Sequence, residues 1–391
     1  MDFAEFIAPM TVETFMTDYF GRRPVHIRGE TARIGLLSAA RLEQLLAVLP
    51  HWTEDNLKLI LNSRPILGEH FLEKADVNGS RRPADPAKVQ LFLRIGASLV
   101  GDHIEDIDPV VRQAAAMLSD QFAGTAGANV YCSFQGIRAF NTHCDLHEVF
   151  AVQLKGEKVW QIYENRAESP VEALTGENAQ AIIDQAKGKV MMTVRMQPGD
   201  LLYIPRGYFH DALAHSSASL HLTFGIRPVD GRYLFQLLEE LAVKDRQFRE
   251  YLPDGRADSE GLRTHLAGLA DELAAVIRSP LFETLLTNRQ RALVVRADSV
   301  DLHDRAKLDY YAATGQRGEL VWTRDGIVLR HARGEESLGA SGEAIEWVLD
   351  QQAFSLQQLR ANFRWLSEEE AQRVVEMITR LGLFAAYEPA L

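Results

Sequence analysis

The segment Asn141-Thr142-His143-Cys144-Asp145-Leu146-His147 sets imidazole, carboxylate and imidazole at every second position. In an extended chain alternate residues point to the same side, so His143 and Asp145 are expected to reach one point together. A metal held there needs a further ligand. Pro205-Arg206-Gly207-Tyr208-Phe209-His210 offers one, because a proline and a glycine end a strand and turn the chain, which aims His210 into a barrel mouth. Two neutral imidazoles and one carboxylate form the facial triad of non-haem Fe(II) oxygenases, with three positions left for a bidentate cosubstrate and O2. A lone His-x-Asp arises by chance. The downstream Pro-x-Gly-x-x-His in the same β-rich block is what favours the metal reading. His147, His215 and His221 compete for the assignment, and their ordinary roles are a rim contact, a loop surface and a core hydrogen bond.

To bring these residues together the chain must build a β structure. Residues 128–227 carry short β-rich runs between turn signals, the pattern of an all-β barrel or sandwich. The runs are 129–131, 149–154, 158–162, 193–196, 201–204 and 219–226, with a helical insert around 172–187. Lys155-Gly156 turns the second run into the third, and Pro198-Gly199-Asp200 precedes the fifth. The first 120 or so residues read mixed and mostly helical, with candidates at 14–19, 38–48 and 109–122 and a short strand at 25–27. Ser38 is placed to cap the second helix, where Leu42, Leu45, Leu46 and Leu49 recur at helical spacing. Residues 228–298 read helical, with apolar faces over 233–243 and 262–277. Residues 299–391 predict a small α+β unit: a hairpin over 319–329, then a helix opened by a Ser367/Glu370 capping box and closed by Gly382. That order suggests a winged-helix-like fold. The expected division is 1–227, 228–298 and 299–391.

Composition narrows the function. Of 391 residues, 46% are hydrophobic and 25% charged, enough apolar content for full globular cores. A formal net charge of −12 argues against binding nucleic acid by general electrostatics. The last segment, 301–391, holds 15 acidic and 10 basic residues, which speaks against DNA reading by the winged unit. Two cysteines, Cys132 and Cys144, make no disulfide framework and point to a reducing compartment. The start has no basic region followed by an apolar core, and no apolar run reaches the roughly 18 residues needed to span a bilayer. A cytoplasmic protein without membrane association is expected.

The motif residues resemble the JmjC family of Fe(II)/2-oxoglutarate oxygenases, and more narrowly the ribosomal oxygenases, which hydroxylate side chains of ribosomal proteins. The likeness extends beyond the triad. Asp18-Tyr19-Phe20-Gly21-Arg22-Arg23-Pro24-Val25-His26-Ile27-Arg28 is similar to the family's N-terminal sequence. Val149-Phe150-Ala151-Val152-Gln153-Leu154-Lys155-Gly156-Glu157-Lys158-Val159-Trp160 is similar to its hairpin after the first two ligands. Gln197-Pro198-Gly199-Asp200-Leu201-Leu202-Tyr203-Ile204-Pro205-Arg206-Gly207 is similar to the run before its distal histidine.

The resemblance implies an α+β protein: a double-stranded β-helix (cupin/JmjC jelly roll) catalytic domain with a helical N-terminal part, a helical dimerisation domain and a C-terminal winged-helix-like domain. It implies an enzyme with Fe(II), 2-oxoglutarate and O2, in which 2-oxoglutarate becomes succinate and CO2 as a protein side chain is hydroxylated. A ribosomal protein is the favoured substrate, with arginine as the favoured residue. It places Lys158 on the far carboxylate of the cosubstrate, where a buried charge needs a partner. Tyr131, Asn129 and Thr223 stand where the family has further cosubstrate or wall groups, and cross-strand packing is their alternative. A homodimer is expected through 228–298, whose apolar face also suits packing within one chain. There are departures. Family members carry a Pro-Gly loop before the first histidine and a tyrosine inside His-x-Asp. Here the loop is Ser133-Phe134-Gln135-Gly136-Ile137-Arg138-Ala139-Phe140, and the middle residue is Cys144. Arg138 and His147 are therefore rim candidates for an unknown partner. Three alternatives stay open: a JmjC hydroxylase of another peptide, a cupin enzyme that uses metal without 2-oxoglutarate, and a non-catalytic cupin scaffold.

Overall fold

A computed structural model describes residues 1–29, 31–47, 51–61, 64–73, 82–134, 141–214, 218–294 and 309–387. Arg138 and His215 lie outside the described residues. The described residues divide into two compact units, one over 1–228 and the other over 229–294 and 309–387.

The first unit holds strands β1 (Val25–Ile27), β2 (Leu57–Leu61), β3 (Arg64–Pro65), β4 (Ser98–Gly101), β5 (Gly124–Phe134), β6 (Glu148–Lys155), β7 (Lys158–Arg166), β8 (Val190–Met196), β9 (Leu201–Ile204), β10 (Tyr208–Ala214) and β11 (Ala218–Pro228). Eight form one antiparallel sheet in the order β1-β9-β6-β11-β5-β4-β2-β3, and three form a second, β10-β7-β8. The turn at Lys155-Gly156 is present, with Gly156 at φ +65°. It does not close a hairpin, because β6 and β7 belong to different sheets. The chain crosses between sheets again from β8 to β9, from β9 to β10 and from β10 to β11.

Alternation along the strands builds two layers of core. In β6, Val149 and Ala151 face the small sheet and meet Trp160, Ile162, Val194 and Met196. The intervening Phe150, Val152 and Leu154 face the other way, into a cluster with Phe3, Phe6, Phe15 and Phe122. Buried on both sides, β6 reads as a continuous apolar run. Phe150 is fully buried, and its ring centroid lies 4.9 Å from that of Tyr203 and 5.7 Å from that of Phe15. Such a side chain contributes about 1.5–3 kcal/mol by burial.

Helices Ala39–Leu46 and Pro109–Phe122 stand where expected, and the Ser38 hydroxyl accepts from the Arg41 N–H at 3.1 Å. The first 120 residues are less helical than their pattern implies, for they also supply β2, β3 and β4. Every residue of β4 is buried, so no polar alternation marks it as a strand.

The second unit has helices Tyr233–Ala242, Ser259–Ile277 and Pro280–Ala292, followed by strands β12 (Tyr310–Ala313), β13 (Glu319–Thr323), β14 (Gly326–His331), β15 (Gly334–Ser337), β16 (Ala353–Ser355) and β17 (Phe384–Tyr387). They form two three-stranded sheets, β16-β12-β17 and β13-β14-β15. Helices Gly342–Leu349, Leu356–Asn362 and Glu368–Arg380 complete it. The capping box is formed: Ser367 and Glu370 each accept the other's backbone N–H, at 3.1 and 2.8 Å. Leu237, Leu281 and Leu285 of the helical segment share one core with Ile327, Val348 and Ile378.

Candidate metal centre

Gly207 makes the turn that delivers His210. It sits at φ +89°, and a Cβ there would lie 2.2 Å from the Ala167 carbonyl oxygen, so only glycine fits without displacement. In the register that follows, Ile162, Trp160 and Lys158 of β7 stand opposite His210, Ala212 and Ala214 of β10. Directly opposed residues of an antiparallel pair share a face. His210 and Lys158 therefore point the same way, and both are buried.

His143 and Asp145 reach that space by a route other than the expected one. Residues 144–147 are irregular rather than a strand, and His143 is held by an isolated bridge to His210. The two exchange backbone bonds: His143 N–H donates to His210 O at 3.0 Å, and His210 N–H donates to His143 O at 2.8 Å. Gly207 N–H donates to Asp145 O at 3.0 Å, which ties the second ligand to the turn that sets the third. Cys144 points away and packs against Tyr163, Ile183 and Phe209.

One ligand atom from each of His143, Asp145 and His210 lies within 4.8 Å of the others, and Asp145 Oδ2 is 3.4 Å from His210 Nε2. Each Nδ1 faces a carbonyl, Asn141 O at 2.9 Å for His143 and Tyr208 O at 3.0 Å for His210. A carbonyl only accepts, so Nδ1 carries a proton and Nε2 is the atom that each ring turns to the shared space. Burial, and then the neighbouring His143, push His210 down to about 4 and keep it neutral. Burial alone would raise Asp145, but His210 and His143 outweigh it and hold the carboxyl below its usual range. Two imidazoles that turn Nε2 to one space and a carboxylate beside them fit a divalent cation.

Beside the triad lies a narrow cavity of about 50 Å³, lined by Tyr131, Val149, Lys158, Trp160, His221 and Thr223 as well as the three ligands. Lys158 Nζ is 3.4 Å from His221 Nδ1, and the His221 ring stacks on Tyr131 at 4.6 Å and 8°. Burial pulls Lys158 down to about 7. Burial, together with Lys158, holds His221 well below its ordinary value. Burial raises Tyr131 and keeps it protonated, with a hydrogen bond to Asn129 acting in the opposite direction. Thr223 stands opposite Asn129 in the β5/β11 register, and its buried hydroxyl has no hydrogen-bond partner among the described residues.

The cavity opens into a groove of about 470 Å³, with Tyr131, Asp145 and Thr223 lining both. Gly127 and Gly225 face each other across β5 and β11, and their missing side chains leave room for neighbours to pack on that wall. The His147 ring fills the place above Gly225, where a Cβ would lie 2.7 Å from its Cε1. Glu105 lies above Gly127 and accepts the Ala128 N–H at 2.8 Å. A larger cavity, about 990 Å³, lies between helices and the outer side of the large sheet, by Leu42, Leu93, Cys132 and Leu220. It brings together no metal-ligand set among the described residues.

Sequence reasoning missed a polar cluster on the outer side of the small sheet. Thr142 precedes His143, Asp211 follows His210, and the bridge sets them opposite each other. Their adjacency to the two ligands was the available signal.

The domain fold is decided by a family match. The JmjC domain model matches residues 100–234, which include the triad and Lys158. Those residues are a JmjC domain. The chain is similar to ribosomal oxygenase 1 of Homo sapiens, at 28% identity over 331 residues, 74% of this chain and 49% of that protein. It is likewise similar to the bifunctional lysine-specific demethylase and histidyl-hydroxylase NO66 of Dictyostelium discoideum, at 27% over 259 residues, 64% of this chain and 48% of that protein. The chain thus spans about half the length of the curated relatives it matches. Around the JmjC domain the architecture resembles YcfD, a ribosomal oxygenase from Escherichia coli solved with cobalt and 2-oxoglutarate. The TM-score is 0.53 at 13% identity, over 97% of this chain and 99% of that one, a likeness of fold. The JmjC/cupin fold follows, with mixed helices and antiparallel sheets.

Proposed function

We propose that the protein is a 2-oxoglutarate-dependent oxygenase that hydroxylates a protein side chain, with Fe(II) on His143, Asp145 and His210. The observation that carries this reading is a buried cation, Lys158, lining the same cavity as a two-histidine, one-carboxylate cluster. When bound, Fe(II) and 2-oxoglutarate supply the chemistry: the cosubstrate loses CO2 to become succinate, one atom of O2 enters it, and the other enters a C–H bond of the substrate. The chain's residues bind and orient. His143, Asp145 and His210 would hold the metal on one side and leave the other side to cosubstrate and O2. Lys158 would neutralise the far carboxylate, and the unpartnered Thr223 hydroxyl can donate to it. Tyr131 would form the wall beside them, and Asn129 lines the adjoining groove. Trp160 and Val149 exclude water from the cavity, which strengthens these contacts.

The groove by His147 and Gly225 receives the substrate residue in this reading, and Arg138 remains a rim candidate. The name ribosomal oxygenase supports a ribosomal protein as substrate; arginine is the residue the sequence resemblance favours, while the name histidyl-hydroxylase of another relative makes histidine the second residue to test. The unit from residue 229 onward is proposed to comprise a helical dimerisation segment and a winged-helix-like segment that does not read nucleic acid. No helix among the described residues is long and apolar enough to cross a membrane, and a cytoplasmic location is part of the proposal.

Succinate formation from 2-oxoglutarate with Fe(II) and O2 tests the reading, with and without a bacterial ribosomal-protein extract. Wild type is expected to turn over and to be stimulated by extract. His143→Ala should be inactive, and Lys158→Ala should need much more 2-oxoglutarate. No succinate under any condition, with metal and cosubstrate binding also lacking, would leave the scaffold reading in its place.

A further inference from the structure

The two histidine ligands sit on opposed backbone segments, and the residues next to them meet on the reverse side. The Thr142 hydroxyl donates to Asp211 Oδ2 at 2.9 Å, and the Tyr163 hydroxyl donates to the same oxygen at 2.8 Å. All three residues are buried. Tyr163 and Asp211 stand on neighbouring strands, β7 and β10, while Thr142 belongs to the irregular segment that carries His143. One carboxylate oxygen thus joins both sheet strands and the segment before the first ligand.

The helical insert Ala179–Ala186 covers this cluster. Ile183 packs with Tyr163 and Phe209, and Cys144 packs against the same group. Lys187 Nζ lies 4.6 Å from the centre of the Tyr163 ring and 3.4 Å from Thr142 Oγ1. Lys187 is itself paired with Asp184, Nζ to Oδ1 at 2.7 Å, which anchors the end of the insert helix beside Thr142 and Tyr163.

This arrangement bears on the ligands through the backbone. The carbonyls that orient the imidazoles are Asn141 O and Tyr208 O, close in sequence to Thr142 and Asp211. If the Thr142–Asp211 contact opens, the bridge between His143 and His210 loses its side-chain support. Both Nδ1 contacts can then drift. A ligand set held loosely loses metal affinity, since the groups must be ordered on binding.

We propose that Asp211, Thr142 and Tyr163 are positioning residues that set the metal affinity of the centre, with the insert helix as their cover. None of them touches the metal space itself, and the inference rests on the triad being the metal site.

The test uses the full chain stripped of metal and titrated with Co(II), followed by its visible absorption, alongside the melting temperature of the metal-free protein. Thr142→Val and Tyr163→Phe each delete one donor and little volume. Each is expected to weaken Co(II) binding by about tenfold or more, the scale on which outer partners of metal ligands act. Asp211→Ala should weaken it further. Asp211→Asn should stay near wild type, because an amide oxygen can still accept both hydroxyls. Should Asp211→Ala not fold, the two single-donor variants decide. A purely structural cluster would lower the melting temperature while leaving Co(II) affinity within about twofold, and that result overturns the proposal. Wild type that binds no Co(II), or His143→Ala that binds it as well as wild type, overturns the metal centre itself and the cluster's role with it.

Discussion

Lys158 Nζ stands 3.4 Å from His221 Nδ1 in a buried pocket whose one carboxylate among the described lining residues is the ligand Asp145. A neutral His221 can accept from Lys158, and each cationic form disfavours the other. The pocket thus holds a lysine whose charge is unstable until an anion arrives.

This has a pH consequence for cosubstrate binding. Burial brings Lys158 down to about 7, so in the empty pocket its ammonium form predominates below about 7 and is lost above it. A dicarboxylate needs the ammonium form. Its affinity is therefore expected to be full below about pH 7 and to fall by up to about tenfold per pH unit above it, the limit for one linked proton. Calorimetric titration of 2-oxoglutarate into the metal-loaded protein from pH 6 to 9 checks this. Lys158→Arg should flatten the profile, because a guanidinium stays charged throughout. A wild-type profile as flat as that of the arginine variant would remove Lys158 from the role.

Gly207 should be intolerant of a side chain. With φ at +89° and the Ala167 oxygen 2.2 Å from the added carbon, Gly207→Ala must shift either the turn or its neighbour. Backbone strain alone costs about 1–3 kcal/mol. The expected outcome is a lowered melting temperature together with weakened metal binding, since the same turn holds Asp145 O and leads into His210. Unchanged values for both would show the turn to be adaptable.

Gly225→Ala separates the groove from the centre. Its added carbon collides with His147, not with a ligand. Metal and 2-oxoglutarate binding should survive, while stimulation of succinate formation by protein substrate should drop. His147→Ala is the companion, expected to alter the same stimulation and to relieve the clash when combined with Gly225→Ala. Equal stimulation in all three variants would move the substrate away from this wall.

Phe235 is 71% exposed and Val243 68% exposed at the two ends of helix Tyr233–Ala242 and its cap, an apolar pair that costs free energy in water. A homodimer through this helix would cover them. Light scattering is expected to give twice the mass of the 391-residue chain, and Phe235→Glu to give one chain. Monomeric wild type would assign the face to some other role.

The centre was legible wherever its logic is local. The types and spacing of His143, Asp145 and His210, the turn glycines and the alternation in β7 that turns Lys158 to the Trp160 side are all properties of short segments. So are the Ser367/Glu370 capping box and the helix it opens, because a cap and its first turn lie within four residues. Other features were hidden for a physical reason: they depend on which distant segments pair. His143 and Asp145 do not share a strand face, and the bridge of His143 to His210 together with the Gly207 N–H on Asp145 O brings them to one space. β6 and β7 look like a hairpin in sequence, yet they part into different sheets because each finds its partner far along the chain. The buried β4 shows no alternation to read. His221 looked like a core histidine until the fold set it against Lys158, and Asp211 had no distinction beyond its place after a ligand. Residue chemistry and strand period are written in the chain itself. Burial, hydrogen-bond partners and shifted protonation arise only when long-range pairing removes water and supplies neighbours, and that step the tertiary structure decided.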